Sequence, residues 1–401
     1  MKGNPCINRN FCFLWSGRII SQLGDKIYLI ALAWWILEKT NSPATMGLSM
    51  TLSILPGIIA GIFSGIFIDK RNRKLILISA DIIRGLMVLI VAWLSMAGQL
   101  EIWHILLATA AISIASSFFD PCVQAFIPQL VNEVDLPKAN SLNQMVEGLS
   151  SIAGPALGAL AVSVCGFTWV FYFNALSYLL SGLLESFIFP PAFTALHYNP
   201  FKTAFIEEIK EGFRFIIGDK SMLLIISVIG IAHFFVGSLM VTLPFLAQGL
   251  QGQGVQNLGY LQMTMGVGLL LGSLIGVRQT NSIHESRLLQ LIMIFGLCFL
   301  AISGAQFLRA VSIIIFSAVT TVFGIVIALA SIFWQSLLQI KTPNNMAGRI
   351  FSIANIVGNT SLPIAYSVFG IILEKSPISI TMLFCGICLI ALSGFMSALN
   401  K

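Results

Sequence analysis

Apolar windows close to the length that crosses a bilayer, about twenty residues, recur about twelve times along this chain. They run over 12–37, 44–68, 75–97, 103–127, 139–164 and 168–189, and after a break over 221–247, 257–278, 287–308, 311–339, 347–373 and 378–399. In hydrocarbon such segments must satisfy their own backbone hydrogen bonds, so segments of this length fold as helices. The expectation is an all-α membrane protein, with twelve transmembrane helices in two six-helix bundles. Composition points the same way: 57% of the 401 residues are hydrophobic and 9% charged, and the mean hydropathy is +0.92. A soluble globule carries about a quarter of its residues charged.

The first window follows a charged start, as a signal peptide would, but it continues past Arg18 and Asp25 to about Leu37. That is far longer than a signal core and has no small-residue cleavage site after a short core, so it reads as a retained first helix. The break at 190–220 is the only long polar stretch and divides the chain into an N-terminal bundle at 1–189, a linker, and a C-terminal bundle at 221–401. Within the linker Phe205, Ile206, Ile209, Phe213 and Ile216 fall on one helical face. Either an interfacial amphipathic helix or a small helix packed under the loops fits that pattern.

Lys and Arg divide unevenly between the two ends of the spans. Lys2, Arg9, the cluster at 70–74, Lys138, four linker residues, Arg278, Arg287, Lys341, Arg349 and Lys401 share one side, and only Lys39, Arg309 and Lys375 share the other. Cytoplasmic loops carry the excess of basic residues, so both termini are expected in the cytoplasm. The same rule accounts for the formal charge of +6 without a nucleic-acid partner. The halves also echo each other: Ala139 precedes Pro155 by sixteen residues and Ala347 precedes Pro363 by sixteen, with Gln124 and Gln335 at comparable distances upstream. Parallel repeats of six spans suit two related bundles.

Seven cysteines, an odd number mostly inside apolar spans, imply no disulfide framework. Cys385 and Cys388 have redox or metal-site spacing but no basic or histidine neighbour to activate a thiol. No metal-binding histidine–glutamate motif, nucleophile elbow or nucleotide-binding loop is present, which argues against a membrane enzyme and against drive by ATP. The Gly-rich run at 266–272 lies inside a span and reads as helix packing.

Ionisable residues inside a span cost roughly 2.5–3.5 kcal/mol each on insertion scales, so they face protein or water and mark candidate sites. Nearly all lie in the first half. Arg18, Ser21, Gln22 and Asp25 form one polar face of the first span, with Lys26 beside it; the third span carries Asp81 and Arg84 at i, i+3. The fourth has Ser113, Ser116, Ser117, Asp120 and Gln124, and the fifth Asn140, Asn143, Gln144, Glu147 and Ser151 before Gly154, Pro155 and Gly158. These four stripes can face one cavity. Asp81 and Arg84 neutralise each other and read as a structural pair. Asp25 and Glu147 have no opposite charge one turn away in their own helices, leaving a cross-helix partner or protonation, and burial favours the neutral carboxyl that a reversible proton site uses. Arg18 could instead hold Asp25 ionised. The second half has no acid inside a span; its His233, Gln262, Gln335, Asn355 and Asn359 sit among aromatics such as Phe234, Phe235, Phe333 and Trp334.

Between the second and third spans, Gly65, Asp69, Arg73 and Lys74 form a tight basic turn, and Gly61 and Gly65 allow close helix approach. This loop resembles the signature loop of the major facilitator superfamily. With Leu14-Trp15-Ser16-Gly17, the linker stretch from Ile206 to Gly212, and Gly348-Arg349-Ile350-Phe351-Ser352, the chain is similar to the macrolide-efflux-like branch of drug:proton antiporters. The resemblance implies that the loop stabilises one end of an alternating-access cycle, with Asp69 near Gly348 and Arg349 at the start of the eleventh helix. An acid suits a helix N-terminus. Gly154-Pro155-Ala156-Leu157-Gly158 looks like the core of the antiporter motif, with Ser150 and Ala159 where glycines are usual. Ile112 stands near the place of a fourth-span arginine linked to proton coupling, a role for which Arg18 or Arg84 is the available substitute.

The resemblance implies a secondary transporter in the cytoplasmic membrane that exports a hydrophobic or amphipathic small molecule in exchange for protons. Asp25, Glu147, Asp120 and Arg18 would carry the coupling; Gly65, Asp69, Arg73, Lys74 and Arg349 the gate; and Gly154, Pro155 and Gly158 the closely packed seam. It would work as a monomer in the lipid bilayer, with a small-molecule substrate and protons as partners and no cofactor. Rival readings are an exporter of a siderophore or other natural product, a lysolipid transporter, and a non-transporting membrane scaffold.

Overall fold

The computed structural model describes residues 7–189, 204–250, 252, 254–278, 284–307, 312–343 and 346–399. Thirteen helices lie among them: α1 (Arg9–Thr40), α2 (Pro43–Leu52), α3 (Leu55–Lys70), α4 (Arg73–Met96), α5 (Ile102–Leu130), α6 (Leu136–Ser186), α7 (Ala204–Gly218), α8 (Lys220–Gln248), α9 (Gly254–Arg278), α10 (Glu285–Phe307), α11 (Ile313–Lys341), α12 (Ala347–Lys375) and α13 (Ile378–Leu399). They account for twelve spans. The second is α2 followed by α3, interrupted at 53–54 ahead of Pro56. The fifth and sixth are the two limbs of α6, which turns at Gly166, whose φ of 78° is left-handed and open to glycine.

Helix ends carry the side chains that free backbone groups need. Asn8 accepts from the Phe11 amide at 2.9 Å, Asn72 from Lys74, and Asp219 from Ser221 and Met222, each satisfying a first-turn N–H. Asn41 closes α1 in the left-handed conformation, its N–H on the Leu37 carbonyl.

The chain divides into two compact units, one of residues 1–41 and 48–198, the other of 42–47 and 199–401. In the first, α1 packs along both limbs of α6, α4 lies on α6 and α5, and α3 lies on α5. In the second, α8 packs on α12, α9 on α11 and α10 on α13. The pairing order is therefore the same in both: first span with fifth, second with fourth, third with sixth. That repeats in space the echo between Ala139–Pro155 and Ala347–Pro363. Inside the second unit, α7 lies against α12 and α8, burying Ile216 while Phe213 and Ile217 stay exposed. The side chains of Phe205, Ile206 and Ile209 lie outside the described residues.

Small residues set these helix pairs, as they do where lipid removes the hydrophobic drive between helices. A Cβ on Gly324 of α11 would stand 2.1 Å from the Met265 carbonyl of α9, and one on Gly268 would stand 2.1 Å from the Thr321 carbonyl. The Gly-rich run is thus a backbone-to-backbone seam. Overpacking costs about 1–3 kcal/mol where side chains can yield, and more where they cannot, and here the obstacle is backbone. Gly324→Val is expected to abolish recovery of monodisperse protein on size exclusion, while Gly304→Ala, with nothing within 4 Å of the added carbon, leaves it unchanged.

Five described cysteines are free: Cys122, Cys165, Cys298, Cys385 and Cys388. Cys12 takes part in a disulfide bond whose partner lies outside the described residues.

Candidate functional site

The first unit carries an open cavity of about 370 Å³ with a partly polar lining. The first span supplies Gln22, Asp25 and Lys26, α5 supplies Ser116 and Asp120, and the second limb of α6 supplies Tyr178. Helical spacing explains most of the grouping: Gln22 stands three and four positions before Asp25 and Lys26, and Ser116 four before Asp120, so each set faces one side of its helix. Ile112 also lines the cavity, so an apolar side chain stands where the resemblance places an arginine.

The basic partner comes from α1 instead. Arg18 is 3% exposed, and its Nη2 donates to Glu147 Oε1 at 2.7 Å and lies 3.6 Å from Asp120 Oδ1. One guanidinium therefore ties α1 to α5 and to the first limb of α6. The two carboxylates beside Nη2 are about half exposed, so water reaches the acids and not the base. Glu147 has the cross-helix partner that its own helix does not supply. Arg18 is on Glu147 and Asp120 rather than on Asp25, whose Oδ1 accepts the hydroxyl hydrogen of Tyr178.

Behind the cavity, Arg84 pairs with Asp81 one turn away on α4, both fully enclosed. The Arg84 guanidinium stacks over the rings of Phe119 at 3.9 Å and Tyr178 at 4.6 Å, an arrangement in which ring faces attract the cation. Tyr178 consequently contacts Asp25 on one side and Arg84 on the other. Neither the Asp81–Arg84 pair nor Glu147 lines the cavity; of the four expected stripes, the first and fourth do.

The seam expected at Gly154, Pro155 and Gly158 brings α6 onto α1. An added Cβ on Gly154 would stand 2.2 Å from Lys26 Cβ, and one on Gly158 2.9 Å from the Ile27 carbonyl. Close approach there sets the height at which Asp25 and Lys26 enter the cavity. At the basic turn, Arg73 Nη1 donates to the Ala125 carbonyl at 2.8 Å and Lys74 Nζ to the Ser186 carbonyl at 2.6 Å. These two side chains tie the start of α4 to α5 and α6. Gly65 lies within α3, and the side chains of Asp69 and Arg349 lie outside the described residues. In the second unit, His233 lines an apolar cavity with Phe295 and Trp334.

Sequence reasoning missed Tyr178 and Glu185. The signal was there: Asn174, Ser177, Tyr178, Ser181 and Glu185 recur at helical spacing along the sixth span, and all five are buried. Among the described residues no group of three His, Cys, Asp or Glu could hold a metal ion.

Two units with one pairing order, built of spanning helices, the first of them holding a charged cavity, define a multi-pass membrane transporter. The chain belongs to the Major Facilitator Superfamily, which it matches over residues 14–366. It is 28% identical over 396 residues to the uncharacterized MFS-type transporter YfiS of Bacillus subtilis (strain 168), covering 97% of this chain and 92% of that one. To macrolide efflux protein A of Streptococcus pyogenes it is 21% identical, covering 98% and 96%. Its fold is similar to that of a bacterial homologue of the iron transporter ferroportin in an inward-facing state, with a TM-score of 0.75 at 15% identity over 97% of each chain.

Proposed function

We propose that this transporter exports a hydrophobic or amphipathic small molecule in exchange for protons, by alternating access, working as a monomer in the cell membrane with both termini in the cytoplasm. The cavity carries the reading: Asp25 and Asp120 open into a partly polar hollow of a membrane-spanning unit, and charge is kept at such a cost only where it serves. Glu147 opens to water on the far side of Arg18. Three acids against Lys26 and the enclosed Arg18 suit a lipophilic cargo bearing a polar or cationic group. The likeness to macrolide efflux protein A supports the direction and the cargo class, and the asymmetry of Lys and Arg supports the orientation.

The test is efflux of a panel of lipophilic dyes and macrolides from whole cells, with and without a protonophore, for the unaltered chain, Asp25→Asn and Glu147→Gln. Protonophore-sensitive export is expected, and each variant should lose uphill export more than passive exchange. Equal loss of both activities would make these residues packing or binding groups, and export of nothing in the panel would overturn the cargo class.

A further inference from the structure

Glu185 stands near the end of the sixth span, 1% exposed, and neither carboxyl oxygen has a hydrogen-bond partner among the described residues. The charged groups near it come from α1 and α4. They are Arg18 of α1 and Asp81 and Arg84 of α4, with the Cys122 thiol on α5, while Lys74 Nζ is spent on the adjacent Ser186 carbonyl. Arg84 is committed to Asp81 through Nη2, and Arg18 to Glu147. An enclosed carboxylate with no counter-charge costs several kcal/mol, whereas the acid form removes the charge.

The surroundings add a second observation. Arg84 Nε, Arg18 Nε and Arg18 Nη1 are buried donors with no acceptor among the described residues. Unused donors and an unused acceptor thus share one enclosed cluster without meeting.

We propose that Glu185 is a proton-carrying site: it holds a proton in the arrangement seen here and exchanges it with water as the arginines move. On release the proton passes to water of the polar cavity, and the carboxylate left behind accepts the free N–H groups of Arg84 or Arg18. The bond broken is the carboxyl O–H, and no other bond changes order. Turning toward Glu185 loosens the hold of Arg18 on Glu147 and Asp120, which links the proton at the back of the unit to the acids at its cavity. Only the role in export rests on the antiport reading; the protonation does not.

The test is the infrared spectrum of the purified full-length chain in phosphatidylcholine–phosphatidylglycerol nanodiscs, recorded against pH. The protonated-carboxyl absorption is expected to fall as pH rises, Glu185→Gln to lose one component of it, and Glu185→Asp to keep that component at a shifted position. Spectra identical in the unaltered and Gln forms, or a component that does not change with pH, overturn the proposal. In the dye-efflux assay, Glu185→Gln is expected to lower protonophore-sensitive export to the level of cells lacking the transporter, and full export by this variant overturns the coupling role. Absence of export by the unaltered chain counts against the antiport reading alone, because the infrared result is independent of cargo.

Discussion

Replacing Arg84 by Met is expected to lower stability by about 3–5 kcal/mol, the range for stripping one partner from a buried ion pair. Asp81 is fully enclosed and would keep a carboxylate with no counter-charge, while the rings of Phe119 and Tyr178 would lose the cation between them. Asp81→Leu alone should also destabilise, by leaving the guanidinium unmatched. The combined Arg84→Met, Asp81→Leu chain is expected to recover much of the loss, because an apolar pair of similar volume often replaces a buried ion pair at little net cost. Thermal unfolding of the purified single and double variants reads the coupling directly. Additive losses would mean that the two residues do not act as a pair.

Arg18→Gln should behave in the opposite way, with a small change in stability and a large one in transport. Glu147 and Asp120 are about half exposed, so water can take over when the guanidinium goes. What is lost is a charge-assisted hydrogen bond worth about 1.5–3 kcal/mol, hence about ten- to a hundredfold in any equilibrium that it biases. Uphill dye export is expected to fall by that factor with the melting temperature nearly unchanged. Arg18→Lys should rescue it poorly, since the more strongly hydrated ammonium is costlier to enclose at this buried position than the guanidinium whose Nη2 meets Glu147. Full export by Arg18→Lys would show that the charge alone suffices.

The two variants separate roles that look alike from composition. Asp81 with Arg84 and Arg18 with Glu147 are both acid–base pairs inside spans, and only the first was apparent as a pair along the chain. An i, i+3 spacing on one helix brings two side chains together wherever that helix lies. Arg18 and Glu147 are 129 residues apart, and what joins them is the close approach of α1 and α6 at Gly154 and Gly158. Glu147 stood out for having no counter-charge on its own helix, and its partner came from the helix across that seam.

Glu185 illustrates the converse. Near a span end, an acid ordinarily reaches water, so sequence position offered no reason to single it out. Enclosure by α1, α4 and α5 is what removes that water, and no local pattern reports enclosure. Tyr178 was missed for a related reason: a tyrosine inside a span is an ordinary apolar filler until its hydroxyl is seen on Asp25.

By itself the sequence determined the helical class, the number of spans and the family, because each follows from run length, apolarity and short motifs that hold whatever the neighbours do. It also placed the ionisable residues on their helical faces, since a period of 3.6 residues needs no tertiary information. Only the tertiary structure decided which acid meets which base, which polar face opens to a cavity, and which carboxyl is left without a partner. Those outcomes depend on the distances between helices and on the exclusion of water, and both are settled by packing between residues far apart in the chain.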